Sequence, residues 1–215
     1  MSSEELGQNG VLVGATAVVW SKRDPFGAEY AEVTFGRDTL SASGIAIGSE
    51  PLPYRLEYAL RTISGFVAAE VEVVSRGDGW ARRLVLVRSA AGEWSADATS
   101  RGETSLPPPG GETAAFGRAL DPDLGLSPLF NSMPVLRHGL HDGGTADDFL
   151  MVWISVPDLS IYPSPQRYTF LERLADGNRL VRFESVGVRE DFVADVVFDP
   201  KGLVVDYPGI ASRIH

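Results

Sequence analysis

The stretch YRLEYALR, Tyr54–Arg61, decides the fold class. Tyr54, Leu56, Tyr58 and Leu60 alternate with Arg55, Glu57, Ala59 and Arg61, and a period of two places every second side chain on one face of a sheet. This is a half-buried strand with its apolar face on a core. The same grammar extends outward in both directions. Val11–Trp20, Glu29–Phe35, Phe66–Ser75, Ala81–Arg88, Leu150–Val156, Gln166–Leu174, Leu180–Val188 and Val193–Phe198 read as further strands. Turn residues separate them: RGDG at 76–79, AAG at 90–92, DGN at 176–178 and DPKG at 199–202. Many short strands at this spacing give a mainly β chain folded as a barrel, sandwich or roll.

One segment breaks the pattern. Within Leu126–Gly139, the residues Leu126, Leu129, Phe130, Met133, Leu136 and Leu140 recur at helical spacing. Pro134 restricts that helix, so Ser127 is expected to open a short turn through Pro128, with Ser132 as N-cap of a second stretch ending at Gly139. Apolar residues cover most of its circumference, as a helix surrounded by sheet requires. The segment at 101–112, RGETSLPPPGGE, reads as an exposed loop. The hairpin at 84–94 echoes that at 196–205, which fits either a duplication or shared hairpin grammar.

Composition narrows the function classes. The 215 residues fit one domain, 1–215, with enough chain to bury a core without staples. There is no cysteine, which excludes thiolate catalysis and cysteine-ligated metal. A formal charge of −10 repels polyanions, so nucleic acid is not an expected partner. The arginines at 82, 83, 179 and 182 alternate with apolar residues and are expected on outward strand faces. The opening MSSEELGQNG carries glutamates where a secretory signal carries basic residues, and no apolar run approaches the roughly 20 residues of a membrane span. The expected location is the cytoplasm.

The segment DPDLGLSPLFNSMPVLRHGL, Asp121–Leu140, combines an Asp-x-Asp-Leu step, a Ser-Pro, an Asn-x-x-Pro and a basic doublet, Arg137–His138. In that order these features resemble bacterial proteins of the putative glycolipid-binding family. Trp20 followed by Glu29, Tyr54, Gly92 before Trp94, VPDL at 156–159 and GLVVDYPGIASR at 202–213 fall in the same family order. The likeness therefore spans nearly the whole chain. It departs in the doublet, more often two arginines in the family, and in an extended loop at 101–112. The resemblance implies a spiral β-roll, a long, strongly curved antiparallel sheet wrapped around one core α-helix. It also implies binding of a glycolipid or acyl chain, in glycolipid transport or metabolism.

The residues with chemistry admit more than one role. Asp121 and Asp123 fit a ligand rim, an acid–base pair, or structural turns and a salt bridge to Arg137. A calcium loop is a poor fit, since Gly125 stands where another oxygen donor is needed. His138 and His141 with Asp142 have metal-like spacing only if the helix continues through Gly139, and the other histidine is His215. No metal or cofactor is therefore assigned. Trp20, Trp80, Trp94 and Trp153 are core packing or ligand-stacking surfaces, with Trp153 taken as the ligand candidate. Asn131, Arg137, Tyr207 and Arg213 lie in the family-like segments and complete a candidate rim with Asp121, Asp123 and Trp153.

No nucleophile elbow, phosphate loop or dinucleotide fingerprint is present, and no catalytic residue is assigned. A binding module is the favoured reading. An enzyme of carbohydrate or lipid metabolism using Asp121 or Asp123 with Arg137 is one alternative, and a structural or interaction protein without a small ligand is another. The oligomeric state stays open.

Overall fold

The computed structural model describes residues 14–144, 148–185 and 192–214. Residues 11–13 of the first expected strand, 186–188 of the Leu180–Val188 strand, and His215 lie outside the described residues. Among the described residues are fourteen strands: β1 (Gly14–Arg23), β2 (Phe26–Phe35), β3 (Leu40–Gly48), β4 (Tyr54–Ile63), β5 (Val67–Gly77), β6 (Trp80–Arg88) and β7 (Trp94–Arg101), then β8 (Asp121–Leu124), β9 (Asp148–Ile154), β10 (Ile161–Arg173), β11 (Arg179–Ser185), β12 (Phe192–Phe198), β13 (Val204–Tyr207) and β14 (Ala211–Arg213). They form one sheet in the order β7-β6-β5-β4-β3-β2-β1-β14-β13-β12-β11-β10-β9-β8. The protein is mainly β, as expected, and the sheet is not closed into a barrel.

Pairing is antiparallel along the whole order except between β8 and β9, which run parallel. The sequence reading anticipated a wholly antiparallel sheet. Parallel neighbours need a long crossover rather than a hairpin, and here the connection from Leu124 to Asp148 is that crossover, carrying the α-helix Ser132–Arg137.

The alternation at 54–61 is realised: Tyr54, Leu56, Tyr58 and Leu60 are all buried in β4. Beside it, β3 was not anticipated, because its buried phase is Leu40, Ala42, Gly44 and Ala46 while Ile45 and Ile47 face outward. Small residues are required there. A Cβ at Gly44 would lie 2.3 Å from Cζ of Tyr58, and one at Gly48 would lie 2.4 Å from the Tyr54 ring.

Three hairpin turns share one closure. The amide of Ser89 donates to Glu93 O at 2.8 Å, that of Leu174 to Asn178 O at 2.9 Å, and that of Asp199 to Leu203 O at 2.8 Å. Each contains a left-handed glycine, at 92, 177 and 202, which this turn geometry favours. The likeness between 84–94 and 196–205 thus has a local cause in turn grammar. RGDG is likewise a hairpin, with Gly77 paired to Trp80.

The helix is shorter than expected. A 3₁₀ turn, Pro128–Asn131, leads into α1 (Ser132–Arg137), and Ser132–Leu136 are all buried. Asn131, not Ser132, occupies the N-cap position, and no side chain caps it. The helix stops because Gly139 is left-handed at φ 61°. Leu129, Phe130, Met133 and Leu136 share a core cluster with residues of β1–β6 and β9, including Trp20, Leu60, Leu84 and Val152. A second cluster joins Val135 and Leu140 to Tyr168, Val181, Phe183, Val196 and Tyr207.

Two arginines depart from the outward placement expected of them. Arg82 is 4% exposed and Arg179 7% exposed. Arg82 shares the inward phase of Trp80 and Leu84 and donates to Leu106 O at 3.0 Å, to Asp158 O at 3.1 Å and to Pro107 O. It anchors the mostly exposed loop at 101–112. Arg179 donates to His141 O at 2.6 Å. Arg83 and Arg182 do face outward, paired with Glu72 and Asp195. No helix among the described residues is long and apolar enough to cross a membrane.

Candidate functional site

Strand register builds the site. Asp123 of β8 pairs with Trp153 of β9, and Gln166 of β10 pairs with Phe149 of β9 on one side and Ser185 of β11 on the other. Ser185 in turn stands opposite Phe192 of β12. Residues paired across adjacent strands point to the same face, so polar and aromatic groups gather where these strands meet the turn into α1. There they line a pocket of about 180 Å³.

Of the residues singled out from sequence, Asp123, Asn131, Trp153 and Tyr207 line this pocket, and Gln166, Ser127, Phe183 and Phe192 join them. A chain of hydrogen bonds joins three of its lining residues through the buried Tyr168. The Asn131 amide donates to Tyr168 Oη at 2.7 Å, Tyr168 Oη donates to Gln166 Oε1 at 3.2 Å, and Gln166 Nε2 donates to Asp123 Oδ2. All four residues are buried. Burial pushes the Asp123 carboxyl from its ordinary 3.8 up to about 6, against the smaller opposing effect of the Gln166 hydrogen bond. The Tyr168 and Tyr207 hydroxyls are raised well above 10, first by burial and then by the Asp123 charge.

Ser127 ties the pocket to the other half of the sheet. Its hydroxyl donates to Glu29 Oε1 at 2.5 Å; Glu29 also accepts from Tyr58 Oη at 2.9 Å and forms a buried ion pair with Lys22 at 2.9 Å. Leu126, just before it, has φ 63°, a strained value for a bulky residue. The helix entry is thereby held against β1, β2 and β4.

Asp121 and Arg137 sit apart from that pocket. They form a bidentate ion pair, and Arg137 also donates to Phe66 O at 3.2 Å. Burial raises the Asp121 carboxyl above its ordinary value although Arg137 opposes the shift. The pair borders a wider hollow of about 660 Å³ that includes Arg118, His138 and Phe149. A row of rings connects the two hollows: His138 to Phe149 at 4.8 Å, Phe149 to Tyr168 at 5.7 Å, and Tyr168 to Phe183 at 5.2 Å between centroids. The two aspartates thus have different partners, and Arg137 belongs to Asp121 alone.

Arg213 lies outside both linings. Its guanidinium donates to Asp199 Oδ2 at 2.8 Å and to the carbonyls of Leu203 and Val204 at 2.9 and 2.7 Å, fastening β14 to the turn before β13. Trp20 donates to Val204 O at 2.9 Å and Trp94 to Ala119 O at 3.0 Å from within the core. Trp153 is half-buried at the pocket. His141 Nδ1 lies 3.3 Å from Val135 O, and the described residues contain no group of three or more His, Asp or Glu arranged to hold a metal.

Sequence reasoning missed Gln166, Phe183 and Phe192. Gln166 carried a usable signal: it shares the phase of Ser164 and Tyr168 on β10 and is as buried as its apolar neighbours. The convergence of the two phenylalanines depends on register across β10, β11 and β12, which alternation within one strand does not encode.

Comparison with known proteins gives three findings. A family model described as putative glycolipid-binding matches residues 17–213. The crystal structure of a DUF1089 family protein from Pseudomonas aeruginosa is similar at a TM-score of 0.65 and 26% identity, over 86% of this chain and 92% of that one. No curated protein matches.

Proposed function

This chain belongs to the putative glycolipid-binding family, and from that membership we propose that it binds the head of a glycolipid or related lipid in the pocket floored by Asp123. The observation that carries the reading is the convergence of Asp123, Asn131 and Gln166 with Trp153, Phe183 and Tyr207 on one concavity. Amide and carboxyl groups orient hydroxyls while ring faces take the apolar face of a sugar or the root of a chain. The pocket is smaller than the roughly 300–1,000 Å³ of sites for drug-sized ligands, so it accommodates a headgroup, and an acyl chain extends beyond it. A further hollow of about 200 Å³ shares Tyr207 and Ile210 with this pocket and offers a path for that chain.

In this reading the matched span acts as one binding domain whose sheet winds as a spiral roll around α1. The shared core of β5, β6 and β9 with the helix supports that winding. The role is carriage or presentation of lipid in glycolipid transport or metabolism. A second reading, acid–base chemistry at Asp123, draws on its elevated carboxyl; it predicts turnover that Asp123→Asn abolishes without loss of folding.

Native mass spectrometry of the full chain purified without detergent tests the binding function. A reproducible lipid-sized adduct is expected, diminished in Trp153→Ala at unchanged circular dichroism. A clean apoprotein mass across several preparations overturns it.

A further inference from the structure

Among the described residues, Asp123 is a buried carboxyl paired with no cation. It is 5% exposed, it accepts from the Gln166 amide, and the described lining of its pocket contains no lysine, arginine or histidine. Of the other buried carboxylates among the described residues, Asp121 is paired with Arg137 and Glu29 with Lys22, while Asp158 is held by the hydroxyls of Ser155 and Ser160. A carboxylate withdrawn from water without a counter-charge is unfavourable unless something else supplies one.

The rings beside it offer a surface suited to the same sign of charge. Phe183, Phe192 and Tyr207 form a near-equilateral set, with centroids 6.1 Å apart for Phe183–Phe192, 5.9 Å for Phe183–Tyr207 and 6.2 Å for Phe192–Tyr207. All three line the pocket, together with Trp153. A cation seated over such a triangle lies within the roughly 6 Å reach of every ring centroid. Ring faces are negative and attract cations. An anionic group would instead meet the Asp123 carboxylate.

Building on the pocket as the ligand site, we infer that it recognises an organic ammonium group, held between the Asp123 carboxylate and the faces of Phe183, Phe192, Tyr207 and Trp153. An amino sugar or a quaternary amine head supplies that group. The cation restores to Asp123 the charge that burial opposes, and so draws its carboxyl down from about 6.

The test compares matched pairs by isothermal titration calorimetry at pH 7 on the full chain: choline against its uncharged isostere 3,3-dimethylbutan-1-ol, and glucosamine against glucose. The charged member of at least one pair is expected to bind about tenfold more tightly, the ratio that about 1.4 kcal/mol provides. Which pair shows the gap identifies the source of the ammonium. Asp123→Asn should narrow that gap severalfold, leaving only the share that the rings contribute. A second readout needs no variant: the carboxyl carbon resonance of Asp123 should titrate at lower pH with the tighter amine present. Equal affinities within both pairs, or an unmoved Asp123 titration, overturn the inference, and a lipid-sized adduct in the native mass spectrum would leave the pocket reading intact. Absence of all binding together with a clean apoprotein mass overturns both.

Discussion

Asp123 and Trp153 stand directly opposite one another in the parallel pairing of β8 with β9, and both line the same pocket. The indole therefore contributes to the apolar surroundings that keep water from the carboxyl. Desolvation outweighs the hydrogen bond from Gln166, and the carboxyl titrates near 6 instead of 3.8.

That shift has a thermodynamic sign. The folded state holds the Asp123 proton more tightly than the unfolded chain, so the associated stability is fully present below pH 3.8 and is lost as pH rises through about 6. A shift of this size corresponds to about 3 kcal/mol. Asp123→Asn cannot ionise, so its stability relative to the wild type should climb by about that amount between about pH 3 and pH 8. Urea denaturation at stepped pH measures this difference, and a flat difference would falsify the assignment.

Arg137→Met removes the partner of Asp121, whose side chain is fully buried. Stranding that carboxylate should cost about 3–5 kcal/mol at pH 7, with the loss shrinking in acid as the carboxyl protonates. Adding Asp121→Asn should recover much of it. Denaturant titrations of the two variants decide the matter, and a double variant no more stable than the single one speaks against the ion pair as the cause.

Gly44→Ala places a methyl 2.3 Å from Cζ of Tyr58. Tyr58 is anchored by its bond to Glu29 and packs edge-on against Phe130 at 5.3 Å, so it cannot retreat freely. The expected loss is about 1–3 kcal/mol. In a Tyr58→Ala background the same change should cost much less, and strict additivity of the two losses would count against the contact.

The outward pair Arg182–Asp195, at 2.8 Å with side chains 44% and 40% exposed, is of another kind. Solvent and salt screen it, and a double-mutant cycle should return a coupling of at most about 1 kcal/mol that fades in 1 M salt. A larger, salt-insensitive coupling would mark a rigid network there.

What the sequence discloses follows from which side chains carry the packing. At 54–61 large apolar residues face the core and polar ones face water, so β4 is legible directly. Its neighbour β3 inverts the signal, because Tyr54 and Tyr58 occupy the space over Gly48 and Gly44 and leave Ile45 and Ile47 outside. The four residues of β8, DPDL, look like a turn, yet all four are buried; their burial comes from neighbours distant in sequence. Arg82 was misplaced although it shares its phase with Trp80 and Leu84, since its carbonyl partners at 106, 107 and 158 are set by tertiary structure. Asp123, Asn131, Trp153 and Tyr207 were legible as residue types in family-like segments. Their gathering on one pocket depends on strand register.

The sheet order has an engineering consequence. β1 and β14 pair at its middle while β7 and β8 mark its edges, so the covalent passage between halves runs through residues 102–120. A nick there severs no pairing between named strands. The halves would share the β1–β14 seam, the Trp20–Val204 hydrogen bond and a common apolar core, which suits the protein to fragment complementation: two polypeptides, produced separately, that regain one fold on mixing.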